Sequence, residues 1–231
     1  MRYYIITNTC NTKVIGPDFP QAWQFTKEYK KKMNNPDAVY AFGKCILKNI
    51  FPDFEPDLSG HKLSRKAKIT DFVSQISVTR LPLMNKKALD LLETFNLGNY
   101  RVYPCQLYVR DEPIEHYFLY QIFDAEKYVN VTKSIFSVYY YFKEPHWNYV
   151  SGFTSMEHYI KYHFQLLDED TGTKIAPKKL VFNAGCDKSL DLIRLPDFSV
   201  YFGIISERLY NAIQEAGLTG LEFTPIEVEF E

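Results

Sequence analysis

The sequence predicts an α+β fold in which a few short helices pack on an antiparallel, aromatic-rich sheet. Aromatic residues make up 16% of the 231 residues, with 18 Phe, 18 Tyr and only 2 Trp, and this composition favours strands. A helix–turn–strand pattern also occurs twice, at 85–109 and at 206–230. The hydrophobic content of 46% and the net charge of −1 exclude intrinsic disorder. We therefore expect one domain over 1–231, with 1–68 as a possible N-terminal subregion before 69–231.

Each of the two units begins with a short amphipathic helix. Asn85 and Ser206 are good N-caps, because their side-chain oxygens can accept a free first-turn N–H. Apolar residues then follow at the i, i+3, i+4 and i+7 positions of one helix face. Asn96 and Gly217 stand where the chain must turn left-handed, a conformation that Asn and Gly tolerate best. The two apolar stripes are Ala88, Leu91, Leu92 and Phe95, and Leu209, Ala212, Ile213 and Ala216.

A strand with a proline near its middle follows each helix. After Pro104 and after Pro225 the apolar alternation slips by one position. A β-bulge shifts alternation in this way, so both strands are predicted to bend at a bulge. The two units share few identities, among them Leu97 with Leu218. Either gene duplication explains this pattern, or the two units arose independently and share only a common arrangement of helix and strand.

The remaining elements are predicted from local signals. Pro20 opens a possible helix over 20–32, and two prolines and a glycine predict a loop over 50–60. The stretch 155–167 fits a helix and a strand equally well. Aromatic and β-branched runs predict strands at 1–6, 100–109, 116–123, 135–142, 179–183, 199–205 and 221–230.

Charge is distributed unevenly along the chain. Residues 1–68 hold 12 Lys and Arg against 6 Asp and Glu, a balance of +6, and the remainder holds 15 against 22, a balance of −7. The asymmetry indicates either a partner surface or two ordinary solvated faces. The pI near 6.5 excludes a strongly basic nucleic-acid coat.

Cysteine usage and hydropathy indicate the compartment. Cys10, Cys45, Cys105 and Cys186 are scattered and form no CxxC pair, unlike a secreted disulfide scaffold. No apolar stretch approaches the ~20 residues of a spanning helix, and the N-terminal apolar run is too short for a signal peptide. We expect a reduced, cytoplasmic protein that contacts no membrane.

No motif predicts an active site. His158 and His163 are five residues apart, whereas a zinc-protease helix places its two histidines four apart. The sequence contains no GxSxG, GxGxxG or GxxxxGK[ST] motif. We therefore predict a non-enzyme with no cofactor and no metal. Two alternatives stay open: an enzyme whose His, Cys and carboxylate groups are assembled in space, and a sheet-based nucleic-acid binder using Trp23, Phe25 and Tyr29 among the lysines of 23–32.

Two stretches are candidates for contact with a protein partner. The run 138–142 and the following Trp147 are aromatic, and exposed Tyr and Trp are favoured at interfaces. The acidic stretch 168–170 precedes Thr171-Gly172 and predicts an exposed turn. A fully buried strand and a solvated turn are the corresponding structural alternatives. The predicted contacts are Tyr139, Tyr141, Trp147, Asp168, Glu169 and Asp170.

The C-terminal part of the chain carries a more specific pattern. It reads Asp191-Leu-Ile-Arg194-Leu195, then Ser206-Glu207-Arg208-Leu209, then Leu218-Thr219-Gly220-Leu221-Glu222-Phe223-Thr224-Pro225. This pattern resembles the C-terminal signature of an immunity-protein family of bacterial polymorphic toxin systems, formerly a domain of unknown function. Weaker similarities occur at 69–73 and at 117–120 with Asp124.

The resemblance implies a cytoplasmic protein that binds a cognate toxin stoichiometrically and neutralises it. It implies no catalytic residue and no cofactor. Because immunity surfaces diverge with their toxins, it also implies that the matched residues are structural and do not contact the toxin.

Overall fold

The computed structural model describes residues 2–75, 81–140, 147–169, 173–195, 198 and 200–231. Within these residues the chain is an α+β fold, as predicted, with two sheets and several mostly short helices. None of the described helices combines the length and apolar composition that crossing a membrane requires.

The elements follow one another from strand β1 at the N-terminus to strand β13 at the C-terminus. The helices are α1 Thr12–Ile15, α2 Lys27–Lys32, α3 Val39–Leu47, α4 Lys86–Leu92, α5 Ala125–Tyr128, α6 Met156–Glu169 and α7 Glu207–Glu215. The strands are β1 Tyr3–Asn8, β2 Gln24–Phe25, β3 His61–Lys62, β4 Phe72–Val73, β5 Leu83–Met84, β6 Tyr100–Val109, β7 Glu112–Gln121, β8 Ile135–Tyr140, β9 Trp147–Val150, β10 Thr173–Phe182, β11 Leu192–Leu195, β12 Val200–Ser206 and β13 Leu221–Phe230.

The two sheets share one topology. The seven-stranded sheet has the order β11-β12-β1-β13-β10-β8-β9, and the six-stranded sheet has the order β2-β3-β6-β7-β5-β4. The series β4-β5-β7-β6-β3 therefore matches β11-β12-β1-β13-β10, with the same antiparallel and parallel neighbours. The match is circularly permuted, because β7 follows β6 in the chain whereas its counterpart β1 comes first. The repeat found in the sequence thus extends to five strands of each sheet.

The sheets are mixed, so the prediction of an antiparallel sheet is wrong in this detail. β3 runs parallel to β6, and β10 runs parallel to β13. In both sheets the parallel neighbour joins only after the proline, at Leu107 and at Glu227. The missing N–H of Pro104 and of Pro225 therefore leaves no hydrogen bond to this second neighbour unmade.

The predicted bulges at the two prolines are also wrong. β6 pairs with β7 without interruption through Pro104, opposite Tyr117, and β13 pairs with β1 without interruption through Pro225, opposite Tyr4. The apolar phase slips because each strand changes the face that is covered. Two apolar residues before each proline, Tyr100 and Val102 in β6 and Leu221 and Phe223 in β13, pack into a central cluster shared with α4 and α7. Tyr103 and the apolar residues after each proline pack into the outer core of their own sheet.

Both N-caps and the left-handed Gly217, at φ 62°, are confirmed, but the prediction for Asn96 is wrong, because Gly98 takes the left-handed conformation after α4, at φ 65°. The Asn85 side chain accepts the N–H of Ala88 at 2.9 Å, and the Ser206 hydroxyl accepts the N–H of Leu209 at 3.3 Å. The buried residues of α4 and α7 then meet both sheets in the central cluster.

The predicted helix over 20–32 is wrong for its first part. Residues 21–25 are extended: the Gln21 amide donates to the Ser74 hydroxyl at 2.8 Å, and β2 pairs with β3. The helix α2 begins only at Lys27, where the Thr26 hydroxyl accepts the Tyr29 N–H. The ambiguous stretch 155–167 is helical, as the main part of α6.

Candidate functional site

An open surface groove of about 1170 Å³ lies between the basic part of the chain and the β6–β7 hairpin. The segment 62–69, which leaves β3, lines the groove together with the β6–β7 hairpin tip at 109–112. The hairpin tip turns through Arg110 and Asp111 with φ of 52° and 75°, the left-handed values of a tight hairpin turn. Trp23 and Gln24, at the outer strand β2, complete the lining. Three segments that are distant in sequence therefore form the groove.

Three large apolar side chains of the groove are open to solvent. Trp23 is 52% exposed, Ile69 is 49% exposed and Ile114 is 41% exposed. Single exposed apolar residues are normal on a protein surface, but three in one concave site are typical of binding sites. Trp is also the residue type most enriched among energetically dominant interface contacts.

The groove also contains cations that form no ion pair with any carboxylate among the described residues. Lys62 forms an ion pair with Asp111, which joins β3 to the hairpin tip. The Lys66 amide donates to the Asp18 carboxylate at 3.3 Å. Within the part of the chain that the structure describes, the side chains of Arg65, Lys66 and Arg110 form no ion pair.

Two of the three aromatic residues predicted as partner contacts, Tyr139 and Trp147, lie at the outer end of the seven-stranded sheet. Tyr139 in β8 pairs with Trp147 in β9, the last strand in that sheet's order. Tyr141 falls outside the described residues.

Two of the three predicted acidic contacts are in α6, the helix that packs against β10 of the same sheet. Asp168 and Glu169 are the last two residues of α6, so the predicted turn is wrong for them. The helix continues this far because 156–169 contains no glycine or proline. β10 begins at Thr173, beside Tyr140 of β8. Asp170 is not among the described residues.

A histidine and a cysteine do meet, but in the core. The Cys105 sulfur lies 3.6 Å from Nδ1 of His61, and both residues are almost fully buried. Desolvation lowers the pKa of His61 to about 4 and raises the pKa of the Cys105 thiol. The thiol donates to the Leu58 carbonyl at 3.1 Å, so the pair consists of a neutral imidazole and a protonated thiol. This arrangement lacks the thiolate that a nucleophilic cysteine needs.

His158 and His163, singled out in the sequence, both lie on α6. Nδ1 of His158 accepts the Thr154 N–H at 3.3 Å beside the first turn of the helix. Among the residues that the structure describes, no three His, Cys, Asp or Glu side chains are grouped so that they could hold a metal ion.

The aromatic residues of 23–32 do not form one exposed stacking surface. Tyr29 is buried, and its hydroxyl donates to the Asp57 carbonyl at 2.5 Å. Phe25 stacks on Tyr29 and contacts the His61 ring. Only Trp23 of the three is exposed, and it belongs to the groove.

Each sheet and the helix of its repeat, α4 for the six-stranded sheet and α7 for the seven-stranded sheet, form one half of the fold. The C-terminal pattern residues connect these two halves. Asp191 is 1% exposed and accepts two hydrogen bonds from Arg208, at 2.5 and 2.6 Å. It also accepts from the Ser206 hydroxyl at 2.5 Å and from the Asn96 amide at 2.9 Å. Gly220 lies so close to Phe72 that a Cβ would stand 2.0 Å from the Phe72 carbonyl oxygen. These contacts agree with the expectation that the pattern residues are structural.

Sequence reasoning did not find the groove. Ile69 and Ile114 stand alone in polar stretches, and their proximity to Trp23 depends on the pairing of β2, β3 and β6. The available signal was the stretch 62–68, which holds four basic residues and no acidic one.

Comparison with known proteins adds no relative. No protein-family model matches the chain, and none of the curated proteins matches it. The resemblance described above therefore remains an expectation.

Proposed function

We propose that this chain is an immunity protein that binds a cognate toxin and neutralises it by stoichiometric protein–protein interaction in the cytoplasm. The observation that supports the proposal is the groove, in which half-exposed Trp23, Ile69 and Ile114 lie beside the unpaired cations Arg65, Lys66 and Arg110. The groove is the described feature best suited to recognising another macromolecule.

The groove has the composition of a protein-binding centre. A large aromatic side chain in a concave site can be fully desolvated by a partner, and such residues carry most of the energy at interfaces. Arg is likewise enriched at interface cores, because its planar guanidinium can form two hydrogen bonds with one carboxylate. Charges around an apolar centre also accelerate encounter with a partner of opposite sign.

The toxin-neutralising role comes from the C-terminal resemblance. The resemblance implies that the shared residues are structural. Here Asp191 accepts from Ser206 and Arg208 and also from the backbone N–H of Asn96 after α4, and none of these residues lines the groove. Scaffold contacts that are separate from the binding surface suit a protein whose partner changes rapidly.

Protection of a cell requires a tight complex. A Kd of ~1 nM corresponds to about −12 kcal/mol, and interfaces that reach it bury roughly 1,600 Å² in total. The groove alone is smaller than such an interface, so the toxin must also contact its rim.

A co-expression experiment tests the proposal. The product of the gene beside this one is expressed in a laboratory strain with and without this chain, and growth is followed. We expect the neighbour to stop growth alone, and this chain to restore growth and to co-purify with it. A toxic neighbour that this chain neither rescues nor binds would contradict the proposal.

A further inference from the structure

We infer that the partner inserts into the groove an acidic segment that carries one large apolar side chain. The inference rests on the proposed function in that the partner is a protein, and it adds which part of the partner is recognised. It follows from the charge and the apolar lining of the groove, taken together.

The charge of the groove favours an acidic partner, because its described lining holds four basic side chains against the carboxylates of Asp18, Asp111 and Glu112. The carboxylate of Asp111 is already paired with Lys62, and that of Asp18 accepts a backbone N–H. Lys66 and Arg65 follow β3 directly, and Arg110 is at the hairpin tip that the Lys62–Asp111 pair fastens to β3. An Asp or Glu side chain in the groove would meet cations from two separate segments.

The apolar lining of the groove favours a partner segment that carries a large apolar side chain as well as acidic residues. Trp23, Ile69 and Ile114 leave about half of their surfaces in water. Covering them with a Leu, Ile, Phe or Trp side chain would remove apolar area from water on both partners. An acidic segment without such a residue would leave this area exposed.

The same lining disfavours a nucleic acid. Isoleucine side chains offer no flat π-face on which a base could stack, and among the described residues that line the groove only Trp23 is aromatic. Successive bases of a single strand would therefore find one stacking partner at most.

A peptide selection tests the inference without knowledge of the toxin. Random twelve-residue peptides displayed on phage are selected against the full chain, and enriched peptides are measured by fluorescence polarisation. We expect the enriched sequences to contain Asp or Glu on both sides of one large apolar residue. Trp23→Ser and the double variant Arg65→Glu with Lys66→Glu should each weaken binding by about tenfold or more.

A matched control separates the groove from general charge. Lys30→Glu with Lys31→Glu changes the same charge on exposed residues of α2 that do not line the groove, and it should leave peptide binding unchanged. Thermal unfolding of every variant checks that the fold is retained. If Trp23→Ser unfolds, Ile114→Ser replaces it.

Several results would overturn the inference. These are enrichment of basic or uncharged peptides, no enrichment at all, or binding that the groove variants do not change. Salt-sensitive binding of a twenty-nucleotide single strand that is lost in Trp23→Ser would assign the groove to nucleic acid instead.

If the chain neutralises the toxin but the groove variants protect equally well, the inference fails and the proposed function stands. If acidic peptides bind in the groove but no toxin is neutralised, the proposed function fails and the groove specificity stands.

Discussion

Asp71 and Asp191 are equivalent residues in the two halves of the fold, and each one connects its own half to the other. Each hydrogen-bonds the N-cap residue of the helix in its own half, Asn85 for Asp71 and Ser206 for Asp191. Each also accepts a backbone N–H from the turn after the other half's helix, from Thr219 at 2.8 Å and from Asn96 at 2.9 Å. The two carboxylates therefore fasten each sheet to the helix of the other.

Replacement of Asp191 should destabilise the fold strongly. Burial raises the pKa of Asp191, but the hydrogen bonds from Arg208, Ser206 and Asn96 outweigh burial and hold it below its usual range. The carboxylate therefore stabilises the fold above the unfolded pKa near ~4, and the stabilisation is lost as pH falls through the lower folded value. We expect Asp191→Asn to lower the free energy of unfolding by about 2–4 kcal/mol in urea at pH 7.

The exposed Asp90→Asn on α4 is the matched control, because Asp90 pairs only with Lys86 at the surface. It should lose far less stability than Asp191→Asn. Equal effects of the two variants would show that Asp191 does not hold the halves together.

The buried His61 should make stability depend on pH in mildly acidic solution. Because desolvation lowers its pKa to about 4, the unfolded state binds a proton below ~6.5 whereas the folded state does not. The free energy of unfolding should fall by about 2 kcal/mol between pH 7.5 and pH 5 on account of this group. His61→Phe should reduce this slope, with a remainder from His116, whose pKa burial also lowers.

The control for this measurement is His158→Gln, which changes an exposed histidine of α6. It should keep the slope of the parent chain. A His61→Phe variant with an unchanged slope would contradict the assignment of a buried, neutral imidazole.

The permuted repeat predicts that the chain can be rearranged into two tandem units. Ten residues separate the paired residues Cys105 and His116, whereas seven (227–231, 1 and 2) separate Ile226 from Tyr3 when the ends are joined. A linker of about three residues from Glu231 to Met1 would therefore reproduce the first hairpin. Opened between the exposed Cys10 and Asn11, this permutant should fold with a free energy of unfolding within about 2 kcal/mol of the parent.

A permutant opened between Leu107 and Tyr108, inside β6, is the comparison. It cuts a central strand and should not fold. If the two permutants were equally unstable, the joined ends would not reproduce the β6–β7 hairpin, and the rearrangement into tandem units would fail.

The acidic residues Asp168, Glu169 and Asp170 remain predicted partner contacts. If they steer a cationic toxin, replacing all three with Ser should slow association and weaken its dependence on salt. Stopped-flow mixing at several salt concentrations measures both effects, with Asp53→Ser and Glu55→Ser as the control. Association kinetics that are unchanged across salt would remove these residues from the interface.

Local signals predicted the parts of the fold that depend on local chemistry. The N-caps at Asn85 and Ser206 and the strands 100–109 and 221–230 follow from side chains a few residues apart. The helix α3 carries no comparable signal, because the side chain of its N-cap residue, Ala38, makes no capping hydrogen bond.

Features that depend on distant pairing could not be predicted in this way. The apolar slip at Pro104 predicts a bulge from sequence alone, because a single sequence cannot show that the two faces of a strand are covered by different cores. Parallel pairing of β3 with β6 and the approach of Trp23 to Ile114 likewise depend on tertiary contacts.

Titration calorimetry of the purified neighbouring gene product with this chain tests the central claim most directly. We predict one-to-one binding with a Kd of ~1 nM or below, weakened at least about tenfold by Trp23→Ser and unchanged by Lys30→Glu with Lys31→Glu. Absence of binding between two folded proteins, when the neighbour is toxic in cells, would contradict the account.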